Sequence, residues 1–193
     1  MLSSSSAAQL PSFELDDNTV AHILRQNCSP FIDALCPLQP SVLLWRGAQS
    51  RSLSILELCS PPSDLLLEET YGKDGVSFFE YLEEHITNIH DPSQRVLPSK
   101  AHIATGSRSV ASEWGTPTTI WPVGSFKYTY WQSRALIYKQ GEGVSDTFSK
   151  GGTLVNGLRL REALQDGKEI MFQASAFFQL REDVARRILP QLS

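Results

Sequence analysis

The chain has 193 residues, of which 41% are hydrophobic and 20% charged, and its formal net charge is −4. That length and composition provide for one domain of ordinary size with a packed core, and they exclude wholesale disorder. The acidic balance, with no block of Lys or Arg, argues against an electrostatic grip on nucleic acid. No apolar run reaches the length of a membrane span.

Residues 1–14, beginning MLSSSS, have no basic n-region and no apolar h-region, so they read as a flexible arm and not as a secretory signal. The single domain is expected over 15–193. In 17–36, Val20, Ile23, Leu24, Cys28, Phe31, Ile32 and Leu35 recur at helical spacing, interrupted by Ser29-Pro30. This predicts two short helices, or one helix kinked at Pro30. PLQP at 37–40 predicts a turn, and the apolar run 41–46 a strand that ends in Arg46 and Gly47. The pattern is poor from 47 to 75, with a loop at Pro61-Pro62. Val76, Phe79, Leu82, Ile86 and Ile89 then define an amphipathic helix, ended by Asp91-Pro92.

AHIATGSRSVASEWG reads as a strand, a glycine turn and a short helix ending at Gly115. TTIWPVGSFKYTYWQSRALIY predicts two or more strands with a turn at 122–124. Residues 139–157 form a Gly/Ser-rich excursion, and 158–164 a short helix. KEIMFQASAFFQL reads as a hairpin or one bulged strand. The terminal helix turns Val184, Ile188 and Leu189 inward. Helices first and strands later define an α+β arrangement, not a regular βαβ alternation. The three cysteines, Cys28, Cys36 and Cys59, are too few and too irregular for a disulfide scaffold. They predict small buried hydrophobes in a reducing compartment: a cytoplasm, or a particle assembled there.

Three stretches carry candidate chemistry: LLWRG around Arg46, IATGS followed by Ala111 and Trp114-Gly115, and EIMF opening at Glu169 with FFQL behind it. In this order and context the chain resembles the mono-ADP-ribosyltransferase family, in the branch whose signature is Arg, then Ser/Thr, then Glu. The stretch running on to IWPVGSFKYTYW also resembles a group of bacteriophage proteins. The resemblance spans about residues 20–182 and implies a split β-sheet core with N-terminal helices and NAD bound across the split. It implies catalytic roles for Glu169, Thr105 and Ser107. Arg46, Gly47, Tyr128 and Tyr130 would bind the dinucleotide.

That assignment makes chemical sense. A guanidinium grips diphosphate oxygens in parallel charge-assisted bonds, and a glycine behind it lets a ligand approach the backbone. Cleaving the nicotinamide–ribose bond develops positive charge on the sugar, which a fixed carboxylate stabilises. Thr105 or Ser107 would orient Glu169, and Tyr128, Tyr130 or Trp131 would stack on nicotinamide. The pattern is departed from at Gly167, where the family carries Glu or Gln two residues before the catalytic acid, and at Ala104-Thr105-Gly106, where Ser-Thr-Ser is typical.

Plainer roles stand beside these. Arg46 pairs with a carboxylate such as Glu57; Thr105 and Ser107 cap the helix at 108–114; Glu169 faces solvent at a strand start. His85 and His90 are five apart, unsuited to one helix face, and with His102 they predict no metal site. The Trp and Tyr residues of 114–131 predict sheet packing and not a nucleic-acid platform. The functional expectation is therefore an NAD-dependent ADP-ribosyltransferase or NAD glycohydrolase acting with NAD and a protein acceptor, in the cytoplasm. The alternatives are an inactive scaffold of the same fold serving as a virion or interaction protein, and a protein that binds a nucleotide-like signal without cleaving it.

Overall fold

A computed structural model describes residues 15–48, 55–60, 79, 80, 83, 96–131, 154–156 and 159–192. The expected N-terminal arm, the loop at Pro61-Pro62, most of the helix at 76–89 and the Gly/Ser-rich stretch up to residue 153 lie outside these residues. Phe79, Glu80 and Glu83 are helical.

The first helix, α1 (Asp17–Leu35), is capped by Asp16, whose carboxylate accepts from the Thr19 N–H at 2.8 Å. It is kinked as expected. The non-helical residue is Cys28 (φ −118°, ψ 17°), two positions before Pro30. Proline has no N–H for the carbonyl four residues back, and its ring crowds the preceding turn, so the deviation falls ahead of it. Cys28 is fully buried and burial pushes its thiol up to about 12, in keeping with a small core hydrophobe, whereas Cys36 is exposed and Cys59 partly so.

The expected strand at 41–46 begins later. Pro40–Val42 form a 3₁₀ turn, and β1 runs Trp45–Ala48. Then come β2 (Leu56–Cys59), a 3₁₀ turn at Pro98–Lys100, β3 (His102–Thr105), α2 (Arg108–Glu113), β4 (Thr116–Pro122) and β5 (Phe126–Trp131). The chain closes with β6 (Leu154–Asn156), α3 (Leu160–Gln165), β7 (Glu169–Ala174), β8 (Phe177–Arg181) and α4 (Glu182–Leu192). The strand β6 lies inside what the sequence marks as an irregular excursion. As predicted, α4 buries Val184, Ile188 and Leu189.

The architecture is α+β: one eight-stranded sheet among the described residues, in the order β2-β8-β4-β1-β3-β7-β5-β6, with every neighbouring pair antiparallel. KEIMFQASAFFQL is not a hairpin. β7 pairs with β3 and β5, while β8 pairs with β4 and β2. Four places in the order separate them, about 19 Å in a flat sheet. Only Ser175 and Ala176 lie between them, so the span from Ala174 to Phe177 is at most about 11 Å. The sheet must therefore bend sharply.

The ladder is thinnest at one place among the described residues. β1 and β3 are joined by the single pair Trp45↔Thr105, whereas β1 and β4 share a register from Trp45↔Thr119 to Ala48↔Thr116. The seam divides a first half, β2-β8-β4-β1, from a second, β3-β7-β5-β6. Beyond that pair, side chains close the gap. Phe177 of the first half meets His102 and Phe172 of the second, with ring centroids 4.5 and 5.7 Å apart. One hydrophobic cluster runs from Val20 through Trp45, Ile120 and Ile170 to Leu192. On the helical side, Arg187 of α4 holds Asp17 of α1 at 2.8 and 3.0 Å, and Arg108 of α2 holds Glu182 at 2.7 Å.

Candidate functional site

The seam gathers most of the residues singled out by the sequence. Trp45, Thr105 and Glu169 stand opposite one another on three neighbouring strands, through Trp45↔Thr105 and Thr105↔Glu169. Directly opposed residues in a ladder place their side chains on the same face, so Thr105 and Glu169 are side by side. Both are buried, Glu169 at 5% exposure, so it does not face solvent.

Local bonding explains how Thr105 is held. Its hydroxyl accepts from the Ser107 N–H at 3.0 Å and donates to the Gly167 carbonyl at 3.3 Å. The Gly106 N–H reaches the Lys168 carbonyl at 3.0 Å. The one O–H of Thr105 is thus given to the turn that precedes Glu169. Ser107 is the N-cap of α2, accepting from the Val110 N–H at 3.4 Å, and its hydroxyl also meets that of Ser109 at 2.9 Å. The capping role expected of this segment is realised.

The Gly167 position has a structural reason to be glycine. It follows the C-terminus of α3 with φ 68°. Its N–H bonds to the Leu164 carbonyl at 3.0 Å, and that of Lys168 to the Ala163 carbonyl at 2.9 Å. These are the paired bonds of a left-handed helix stop, where glutamate or glutamine would be strained. The turn sets both the entry of β7 and the acceptor for Thr105.

Arg46 is half-buried, on the face of the first half that also carries Cys59 and Gln179. Its carbonyl accepts from the Thr118 hydroxyl at 3.1 Å. Its guanidinium partner is not Glu57. Nη1 lies 3.1 Å from Nδ1 of His102 across the seam. Among the described residues Arg46 makes no ion pair. Burial, reinforced by this neighbouring guanidinium, pushes His102 down to about 3, so the ring is neutral. Burial, with Glu57 alongside, pushes the Cys59 thiol up despite Arg46.

Gly47 does not offer bare backbone to a ligand. A Cβ there would meet the Ala111 carbonyl oxygen and the Trp114 carbonyl carbon at 2.5 Å, because the end of α2 lies against this residue. Tyr128 and Tyr130 lie on β5, opposite Phe172 and Ile170, and pack against the hydrophobic cluster. Burial raises the Tyr128 hydroxyl above its ordinary range.

The alternation of β3 and β7 sorts these residues. His102, Phe172 and Tyr128 form one row through His102↔Phe172 and Phe172↔Tyr128. His102 is three residues from Thr105 on one strand, so the two project from opposite faces. The guanidinium is therefore held on the His102 side of the second half, and Thr105 and Glu169 emerge on the other. The Gln173 side chain, on the face of Glu169, accepts from the Leu97 N–H at 3.2 Å. That bond lays the segment before β3 over this face.

Among the described residues no group of three or more His, Cys, Asp or Glu side chains is placed to hold a metal ion. No helix among them is long and apolar enough to cross a membrane. His102 is the member of the site that the sequence reading set aside. No local pattern marks it, since its partner lies 56 residues away. No family model, curated protein or solved structure matches the chain.

Proposed function

We propose that the chain is an ADP-ribosyltransferase-like protein that binds NAD, or a ligand with the same diphosphate, at Arg46 without cleaving it. The observation that carries this reading is the division at the seam. A half-buried guanidinium, with no ion pair among the described residues, stands at the seam, where a planar fork can take two phosphate oxygens. Thr105 and Glu169, which would drive nicotinamide departure, project from the other face of the second half, and the Thr105 proton is already given to Gly167. A carboxylate stabilises an oxocarbenium-like sugar only when it is held against that sugar.

The second reading is the NAD-dependent transferase or glycohydrolase itself. It is favoured by the direct opposition of Thr105 and Glu169 on neighbouring strands. Calorimetry with NAD and a nicotinamide-release assay on the same preparation separate the two. The expected result is NAD binding that Arg46→Met weakens by about two powers of ten, at roughly 1.4 kcal/mol for each, with no nicotinamide released. Release that disappears in Glu169→Gln establishes the enzyme instead. A chain with neither binding nor release refutes both.

A further inference from the structure

We infer that His102 is a positioning residue for Arg46: a neutral imidazole that anchors the guanidinium without neutralising it. This rests on the reading of Arg46 as the diphosphate-binding residue.

The tautomer follows from the geometry. Arg46 Nη1 lies 3.1 Å from His102 Nδ1, and a guanidinium only donates hydrogen bonds. Nδ1 must therefore be the bare nitrogen, and the proton of the neutral ring sits on Nε2. That Nε2–H is buried and has no hydrogen-bond partner among the described residues, in a ring 6% exposed between Phe172 and Phe177. A buried donor without an acceptor is a standing cost that folded proteins avoid. Simple packing gives no reason to keep it, because a phenylalanine would fill the same aromatic niche.

The anchoring chemistry does give a reason. A carboxylate at this place would fix the guanidinium, but it would also cancel its charge and occupy the fork that a diphosphate needs. The Nδ1 of a neutral histidine takes one of the five N–H donors of the guanidinium and leaves its full charge. Burial keeps the ring neutral. The bond also crosses the seam, from β1 to β3, where the backbone ladder has stopped after one pair. Arg46 is thereby fixed relative to both halves of the sheet.

Two measurements on the full chain test this. The first is imidazole nitrogen NMR on wild type and Arg46→Met. The expected signal is a neutral ring with its proton on Nε2, and a Nδ1 resonance that moves when the guanidinium is removed. The second is titration with NAD. His102→Phe is expected to weaken binding about tenfold while the melting temperature stays the same or rises, since the orphaned N–H is gone. His102→Asn, whose amide oxygen replaces Nδ1 as acceptor, is expected to recover most of the affinity.

A proton found on Nδ1, or His102→Phe binding NAD as wild type does, overturns the inference. A wild-type chain that shows the expected tautomer and its coupling to Arg46, yet no affinity for NAD, refutes the preceding subsection and leaves the anchoring in place.

Discussion

The two faces of the second half hold comparable sets of polar side chains and use them differently. On one face His102 takes an N–H from Arg46 on Nδ1 and keeps an idle Nε2–H. On the other, both hydrogen bonds of the Thr105 hydroxyl are made inside the protein, and Glu169 is buried beside it. Among the described residues the first face carries an idle donor and a guanidinium without an ion pair; on the second the Thr105 hydroxyl is satisfied by its own chain. Residues that read as one constellation in sequence order are thus divided by strand alternation, because an odd spacing along a strand changes the face. Polar groups left unsatisfied in a folded protein are where ligand chemistry is sought first.

The sharpest way to break this comparison is Gly47→Ala, beside Arg46. If the glycine exists to seat α2, the added methyl meets backbone at 2.5 Å and must push α2 from β1. The expected loss is about 3 kcal/mol, the range for overpacking against atoms that cannot swing aside, measured by urea unfolding. Unchanged stability with lost NAD affinity would mean instead that the ligand, and not α2, needs the bare backbone.

Acid sharpens the comparison next. His102 is held down to about 3 in the fold and returns to an ordinary value near 6.5 when unfolded. Between these values the unfolded chain binds the extra proton, so stability falls as pH falls through this window. From pH 7 to pH 5 the loss assignable to His102 is about 2 kcal/mol. The carboxylates on the helical side behave differently. Arg187 and Arg181 hold Asp17 and Asp183 below the usual carboxylate range, so their contribution is intact at pH 5 and is lost only below about pH 4. Urea midpoints for wild type and His102→Phe at pH 7 and pH 5 check the sign. The variant should lose the difference, and an equal slope in both would show that His102 titrates normally.

What the sequence reveals follows from how local each signal is. The apolar periodicity of α1 and α4, the Ser107 cap and the strands β3, β4 and β5 are written within a few residues and emerge as expected. β2 is hidden because it is four residues long and its burial does not alternate, with Leu58 62% exposed. The start of β1 is misplaced because Ser41 and Val42 follow a proline that favours a turn. β7 and β8 read as a hairpin because only two residues part them, and nothing local says that the sheet divides between them. Of the site, Thr105, Glu169 and Arg46 stand out in the sequence. Which faces they occupy depends on register, and the partner of Arg46 depends on a contact between distant strands.

The smallest expected effect probes the satisfied face. Thr105→Val keeps the shape of the side chain and removes its hydroxyl, leaving the Gly167 carbonyl and the Ser107 N–H each without a bond. Both groups lie at a partly open turn, so water recovers some of what is lost. The expected cost is about 1 kcal/mol in urea unfolding, with the N-terminus of α2 and the turn before β7 exchanging amide hydrogens faster. NAD affinity should stay at the wild-type value, because the ligand is read as sitting across the strands from this hydroxyl. A Thr105→Val chain that keeps its stability and loses NAD would place the ligand on the face of Glu169. The division between a binding face and a structural face would then fall, and Thr105 and Glu169 would return as parts of one catalytic site.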